Sequence, residues 1–526
     1  MEIIDHKALS FVTRKADQIA ALIPRSQVLE RQGDKARMLV FWGQDEWQIL
    51  KNLGIKNLPH PILGRYKWPG VYTPFDHQRT TAAFLAANPR CYVFNEQGTG
   101  KTSAAAWAAD YLIAKGKINR VLVVCPVSIM DTAWRADLFR TVMHRTVGIA
   151  MGTKAQREKV IKGDYQFVII NFDGVKVVRE ALAEGGFDLI IVDEASQVKT
   201  ASTDRWKALA SLTKPHVWVW AMTGTPAAQS PMDAYGLAKL VRPDSVPKFL
   251  GAWRDMTMFK LTQYKWVPKP TAKELVHEVL QPAIRFTKAE CLDLPDQLVV
   301  SRDVPLTAQQ QVYYDRIKKD MVAQAAGEAI TAANAAGLLN KLLQVSQGAV
   351  YTDNRDVVDF DMSHRMDELM EIIEGTENKV LVFVPYRHVL DSIQNALNNR
   401  ILRLIGANPT MHGVECIHGG TPAGQRAEII KRFQTEDTTK VLLLIPQATA
   451  HGITLTRADN VVWWGPVASV ETYLQANARA HRAGQTNKVT VTHLQGSPVE
   501  RRLYKMLQDN VDLHLGLVDL YKEEIA

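Results

Sequence analysis

Residues 95–107 read NEQGTGKTSAAAW, and their interpretation decides the fold. The core GTGKT follows a short apolar run, CYVF (91–94), and opens an alanine-rich stretch, TSAAAWAADYLIAKG (102–116). A strand, a glycine-rich turn and a helix in that order form the setting of a phosphate-binding loop. Gly98 and Gly100 would let backbone N–H groups turn towards phosphates, where a side chain would obstruct the approach. Lys101 would reach the β and γ phosphates, with Thr99 between the glycines. The Thr102 hydroxyl would ligate Mg²⁺, and the helix N-terminus would add its dipole. A plain glycine-rich turn is the alternative, and the flanking strand and helix weigh against it. The full pattern G-x-x-x-x-G-K-[ST] asks for glycine where this chain has Asn95. Phosphates sit against the second half of such a loop, so its first position is the more tolerant one.

A phosphate-loop enzyme also needs a carboxylate at the end of a neighbouring strand. FDLIIVDEAS (187–196) supplies Asp193 and Glu194 after an apolar run. Asp193 would hold Mg²⁺, directly or through water, and Glu194 would orient and deprotonate the attacking water. On an extended segment consecutive side chains point oppositely, so two adjacent acids could serve metal and water separately. MTGTPAAQ (222–229) places Thr223 and Thr225 after another apolar strand. These threonines could lie beside the γ-phosphate, although a turn before Pro226 explains them as well.

Working outward, nearly all-apolar runs recur at 91–94, 121–125, 167–170, 187–193 and 217–224, then at 379–384, 414–418, 440–445, 460–465 and 488–494. Helix-like segments separate them, which implies parallel sheets buried on both faces. The expected fold is α/β, with two parallel-sheet lobes in tandem, helical insertions and a small N-terminal accessory domain. The expected boundaries are 1–70 for the accessory domain, 71–245 for the first lobe, 246–365 for a helical linker and 366–526 for the second lobe. Within 1–70, SQVLERQGDKARMLVFW (26–42) reads as a hairpin, and LPHPILGRYKWPGVYTPF (58–75) as a proline- and glycine-rich connection. The alanine-rich 321–337 stretch reads as helix.

The chain has 526 residues, of which 46% are hydrophobic and 22% charged, with a formal net charge of +8. Such a composition suits a soluble globular enzyme, and the modest basic excess is compatible with a nucleic-acid partner. Cys91, Cys125, Cys291 and Cys416 are widely spaced, which suggests neither a zinc site nor a redox pair and fits a reducing compartment. The start, MEIIDHKALSF, does not read as a signal peptide, and no apolar run approaches the ~20 residues of a membrane helix. A reducing, cytoplasmic location is expected.

In QANARAHRAGQ (475–485), Arg479 and Arg482 stand three apart and would share one face of a helix. A solvated basic face is the default reading. Two α/β lobes with a nucleotide between them would instead use such arginines to stabilise charge on the transferring phosphoryl group. Lys154, Arg157, Lys260, Lys265 and Lys269 could contact nucleic-acid phosphates. The last three are interleaved with Phe259, Tyr264 and Trp266, where surface packing and DNA contact both remain open.

Taken in order, GTGKT, VLVVCPVSIMDTAW, IIVDEAS, MTGTP, VLVFVPYRHVL and QANARAHRAGQ resemble helicase superfamily two. They are most similar to its Snf-type, chromatin-remodeller-like DNA translocases. ARAHRAGQ followed by KVTVTHL, the segment 274–315, SHRMDELMEII (363–373) and IHGGTPAGQRAEIIKRFQ (417–434) carry the narrower likeness, which spans about residues 72–510. The resemblance implies ATP and Mg²⁺, adenine recognition by Gln78, finger roles for Arg479 and Arg482, and DNA as partner in duplex, forked or branched form. It also implies that VLVVCP, VIINFDG (168–174) and ATAHGITLT (448–456) face DNA or couple the lobes. DEAS departs from the usual DEAH at Ser196, and His451 and Thr454 stand at altered positions, which bears on coupling rather than on hydrolysis. The chain looks like a compact phage or bacterial member, and the resemblance implies RecA-like folds for both lobes and a cytoplasmic monomer in a bacterial or phage-infected cell. An RNA helicase and a nucleotide-gated scaffold are the other readings.

Overall fold

The computed structural model describes residues 1–224, 230–261, 266–291, 294–325, 332–351, 357–404, 413–449 and 453–509. The chain divides into two compact units, Met1–Cys291 and Leu292–Ala526.

The first unit begins with a four-stranded antiparallel sheet in the order Glu2–Ile4, Ala8–Thr13, Lys35–Phe41, Gln27–Gln32. The hairpin expected at 26–42 is there: Gln32 pairs with Lys35, and Gly33 turns the chain at φ 58°. Leu9, Phe11, Ile19, Met38, Val40 and Trp42 form the core of this small domain.

The larger sheet of this unit has seven parallel strands. Their order is Ala283–Ile284, Arg90–Val93, Trp218–Met222, Leu189–Asp193, Val121–Cys125, Phe167–Asn171, Val147–Ala150. The five expected strands are its centre. The two edge strands are short and add no long apolar run, which is why pattern reading passes over them. Hydrophobic cores cover both faces, one built around Val124, Ile170 and Val192, the other around Trp107, Val123 and Ile191. The chain passes from Arg90–Val93 to the non-adjacent Val121–Cys125 and fills the gap later. Open parallel sheets bind ligands at the carboxyl ends of their strands where the order switches in this way.

The connection 58–75 is strapped onto the helix Lys101–Ala114 rather than hanging free. The Trp107 indole donates to Pro69 O at 2.9 Å, and the Tyr66 hydroxyl donates to Asp110 Oδ2 at 2.6 Å. Tyr111 donates to Gln44 Oε1 at 2.9 Å, and Lys117 pairs with Asp45 at 2.9 Å, joining the N-terminal domain to the same helix.

The second unit holds six parallel strands in the order Gln297–Asp303, Val489–Gln495, Ala458–Trp463, Lys379–Phe383, Val441–Leu444, Val414–Ile417. Residues 297–303, read from sequence as part of the helical joining stretch, supply an edge strand. Their side chains are mostly exposed, so they lack the all-apolar mark of a central strand. The alanine-rich stretch enters the helices Ala308–Ala325 and Ala332–Gln347, and its residues 326–331 lie outside the described residues.

Beneath this sheet lies a buried ion pair. Arg365, at the start of the helix Ser363–Glu374, donates from Nη2 to both Glu500 oxygens at 2.7 and 2.6 Å. Glu500 also accepts from Gly496 N and Ser497 N, and the Arg365 guanidinium faces the Trp464 ring at 6.0 Å. Among the described residues, no helix is long and apolar enough to cross a membrane.

Candidate functional site

The loop 94–100 leaves the carboxyl end of the strand Arg90–Val93 and enters the helix Lys101–Ala114. Gly98 and Gly100 adopt φ 86° and 77°, the left-handed region that glycine enters without a Cβ penalty. Both glycines of GTGKT are therefore required by the backbone.

Asn95 is different. It is not among the positive-φ residues, and its side chain is 1% exposed. Its Nδ2 donates to Thr81 Oγ1 at 2.9 Å, and its Oδ1 accepts from Phe286 N at 3.0 Å. Asn95 thus ties the loop to the helix Asp76–Ala87 on one side and to the segment 282–288 on the other. That segment runs beside the loop strand, with Phe94 N donating to Ile284 O, Glu96 N to Phe286 O, and Lys288 N to Glu96 Oε2.

Lys101 is 8% exposed, and its ammonium donates to Asn95 O at 2.9 Å and Glu96 O at 3.2 Å. Thr102 is the second residue of the helix, at the positive end of its dipole. Gln78 lies over Gly100 so closely that a Cβ there would meet Gln78 Nε2 at 1.9 Å. The Gln78 amide accepts from Phe75 N at 3.0 Å and points its nitrogen at Thr99 O, 3.4 Å away. His77 Nε2 also meets Thr99 O, at 2.8 Å.

Asp193 closes its strand two places along the sheet from the loop strand. Its Oδ2 accepts from the Trp134 indole at 2.8 Å and its Oδ1 from Glu194 N at 3.0 Å. Burial pushes the Asp193 carboxyl up to about 6; the Glu194 charge adds to this, and Lys101 and the two hydrogen bonds oppose it.

Glu194 does not continue the extended strand. It sits at φ 54°, ψ 52°, a left-handed conformation costly for a residue with a Cβ. The two acids are thus separated by a backbone turn, which replaces the alternation of side chains along a strand expected from sequence. Glu194 Oε1 accepts from Gln97 Nε2 at 2.8 Å. On the strand between, Thr223 N donates to Val93 O at 3.0 Å. Thr225 and Pro226 lie outside the described residues. Loop, acid pair and Thr223 therefore meet at the carboxyl ends of three neighbouring strands.

Sequence reasoning assigned no role to Gln97 or Trp134. Trp134 lies in a π-turn, Met130–Arg135, a wider winding that recurs at functional sites. The available signal was the tryptophan itself, since a buried indole N–H seeks an acceptor.

In the second unit Arg479 and Arg482 do not share a helix face. The helix Val470–Asn477 ends before them. Gln485 Nε2 donates to Ala480 O at 3.2 Å and to Ala458 O at 3.0 Å, and Arg479 O accepts from Leu455 N at 2.9 Å. Arg482 Nη1 donates to Ile453 O at 3.1 Å, so both arginines border the segment containing Thr454. His451 lies outside the described residues.

Of the basic candidates for nucleic-acid contact, Arg157 is committed to the fold. It donates to Gly152 O, Ala150 O and Asn171 Oδ1, each at 2.9 Å. Lys154 is exposed at the start of its helix. Lys260 and Lys269 flank the small hairpin Met258–Lys260 and Trp266–Pro268, facing the Trp266 and Phe259 rings at 5.9 and 5.2 Å. Tyr264 and Lys265 lie outside the described residues.

The family profile described as SNF2-related domain matches residues 41–350, and the one described as helicase conserved C-terminal domain matches residues 364–484. Chromodomain-helicase-DNA-binding protein 1-like from Danio rerio is 26% identical over 79% of this chain, and the chain covers 40% of that protein. The chain likewise spans less than half the length of the other curated relatives that match at 25–27% identity. Protein p41 of Acyrthosiphon pisum secondary endosymbiont phage 1 is 23% identical over 81% of this chain and 93% of its own length. A solved SWI2/SNF2 ATPase core from Sulfolobus solfataricus, in complex with dsDNA, aligns at 20% identity and a TM-score of 0.42, covering 87% of this chain and 95% of that one. With the SNF2-related domain matched over more than half of its 526 residues, the chain belongs to the SNF2-related family.

Proposed function

We propose that the chain is an ATP-dependent DNA translocase, coupling hydrolysis to movement on duplex or branched DNA. The observation that carries this reading is the meeting of loop 95–101 with Asp193 and Glu194 at adjoining strand ends, joined by the Gln97–Glu194 hydrogen bond. ATP would lie with its phosphates on the N–H groups of Gly98–Thr102 and its adenine against Gln78. Lys101, now bonded to two loop carbonyls, would exchange them for β- and γ-phosphate oxygens.

Mg²⁺ fits the donors present. Thr102 offers a hydroxyl, and Asp193 a buried carboxylate whose pKa, pushed up to about 6 by burial, falls when a cation approaches. Asp193 has already given one lone pair per oxygen to Trp134 and Glu194, which favours contact through water. Mg²⁺ characteristically keeps several waters and takes one or two protein ligands beside phosphates, so a cage of three acids is not needed. The ion would supply charge neutralisation at the phosphates.

Glu194 would orient the attacking water and take its proton, its buried Oε2 having no hydrogen-bond partner among the described residues. Arg479 and Arg482 would stabilise the charge that develops on the γ-phosphoryl group, so that lobe closure senses the triphosphate. Phosphate contacts would dominate the DNA grip, because a translocase has to move through any sequence.

ATPase activity measured with duplex, single-stranded, forked and four-way DNA, and with RNA, tests the reading. Duplex or branched DNA should stimulate hydrolysis and RNA should not. Glu194→Gln should bind ATP and DNA yet lose ~10²-fold or more in turnover, the scale of a lost general base. Hydrolysis that no nucleic acid stimulates would sink the motor and favour a nucleotide-gated scaffold.

A further inference from the structure

Gln97 occupies a part of the phosphate loop where the loop pattern accepts any residue. Here its side chain joins its own loop to two neighbouring strand ends. It belongs to the loop after Arg90–Val93, and it donates from Nε2 to Glu194 Oε1 at 2.8 Å. It also lies against Gly224, where a Cβ would come within 2.9 Å of Gln97 Cγ and Nε2. Glu194 needs such a support. Its backbone is held at φ 54°, and its second oxygen, Oε2, is buried without a hydrogen-bond partner among the described residues.

We propose that Gln97 is a positioning residue for Glu194: its amide holds one carboxylate oxygen so that the other is presented to the attacking water. The inference rests on the reading of Glu194 as the water-orienting base. One fixed N–H···O bond selects a single carboxylate rotamer. Misplacing a reacting group by about 1 Å costs ~10²-fold in rate. Because Gln97 is carried by the same loop that would meet the phosphates, base alignment and nucleotide arrival share one structural element. Gly224 makes room for the amide, so a side chain there would displace it.

The test is the ATPase of the full chain at saturating duplex DNA, with Gln97→Met and Glu194→Gln, alongside binding of a fluorescent ATP analogue. Gln97→Met keeps the length and removes the donor. Its kcat should fall about tenfold or more, while analogue affinity and KM for ATP stay within about threefold. An unchanged kcat in Gln97→Met overturns the inference. So does a KM that rises as far as kcat falls, because Gln97 would then serve only to fold the loop. If Glu194→Gln keeps full turnover, the assignment of the base fails. If Glu194→Gln is inactive and Gln97→Met is not, only the role of Gln97 fails.

Discussion

Restoring glycine at position 95 should harm this protein, although it completes the phosphate-loop pattern. The Asn95 side chain is 1% exposed and holds two hydrogen bonds, to Thr81 Oγ1 and from Phe286 N. Asn95→Gly removes both, at ~1 kcal/mol each. It also strands the partly buried Phe286 N–H, costing about 1 kcal/mol more, the low end for an orphaned donor. Glycine adds roughly 0.5 kcal/mol of backbone entropy where a positive φ is not needed. The sum is about 3–4 kcal/mol, which for a domain of this size lowers Tm by about 6–10 °C. Thermal unfolding of the nucleotide-free protein, followed by circular dichroism, measures it. Asn95→Ala should lose slightly less, isolating the backbone share. KM for ATP at 20 °C should stay within about threefold, because the side chain is occupied away from the phosphate-binding N–H groups. An unchanged or raised Tm, or tighter ATP binding, would refute the reasoning.

Other perturbations have equally definite outcomes. Gly100→Ala forces a Cβ to within 1.9 Å of Gln78 Nε2 at φ 77°, so it should raise KM for ATP about tenfold and blur ATP-over-GTP preference in steady-state assays. Arg365→Ala leaves the buried Glu500 carboxylate without its cation, a loss of about 3–5 kcal/mol that chemical denaturation would detect; Arg365→Met with Glu500→Leu should recover much of it. His493 is 0% exposed, accepts or donates only to Tyr473 among its described partners, stacks on Tyr504 at 4.1 Å, and is held down to about 4 by burial. Its folded value lies below the unfolded 6.5, so the stability it contributes is present above pH 6.5 and is lost as pH falls towards 4, by about 3 kcal/mol in all. Replacement by Phe should flatten the acid side of the stability–pH curve.

Much of this molecule can be read from local sequence, because the relevant physics is local. A strand buried on both faces has to be apolar throughout, so nine central strands announce themselves, and the edge strand Val414–Ile417 with them. A phosphate loop needs glycine at φ 86° and 77°, so GTGKT is legible as letters. The acid pair follows from its position after LIIV. Short edge strands such as Ala283–Ile284 carry no such pattern, since they bury little and gain their place by pairing with Arg90–Val93.

What tertiary structure alone decided is where the polar side chains go. Asn95 binds a residue 191 positions away, Gln97 one 97 away and Trp134 one 59 away. Beyond the helix Val470–Asn477, Arg479 O and Ala480 O likewise find their donors in Leu455 N and Gln485 Nε2. Hydrogen bonds are directional and short-ranged, and over such chain separations only the completed fold brings donor to acceptor.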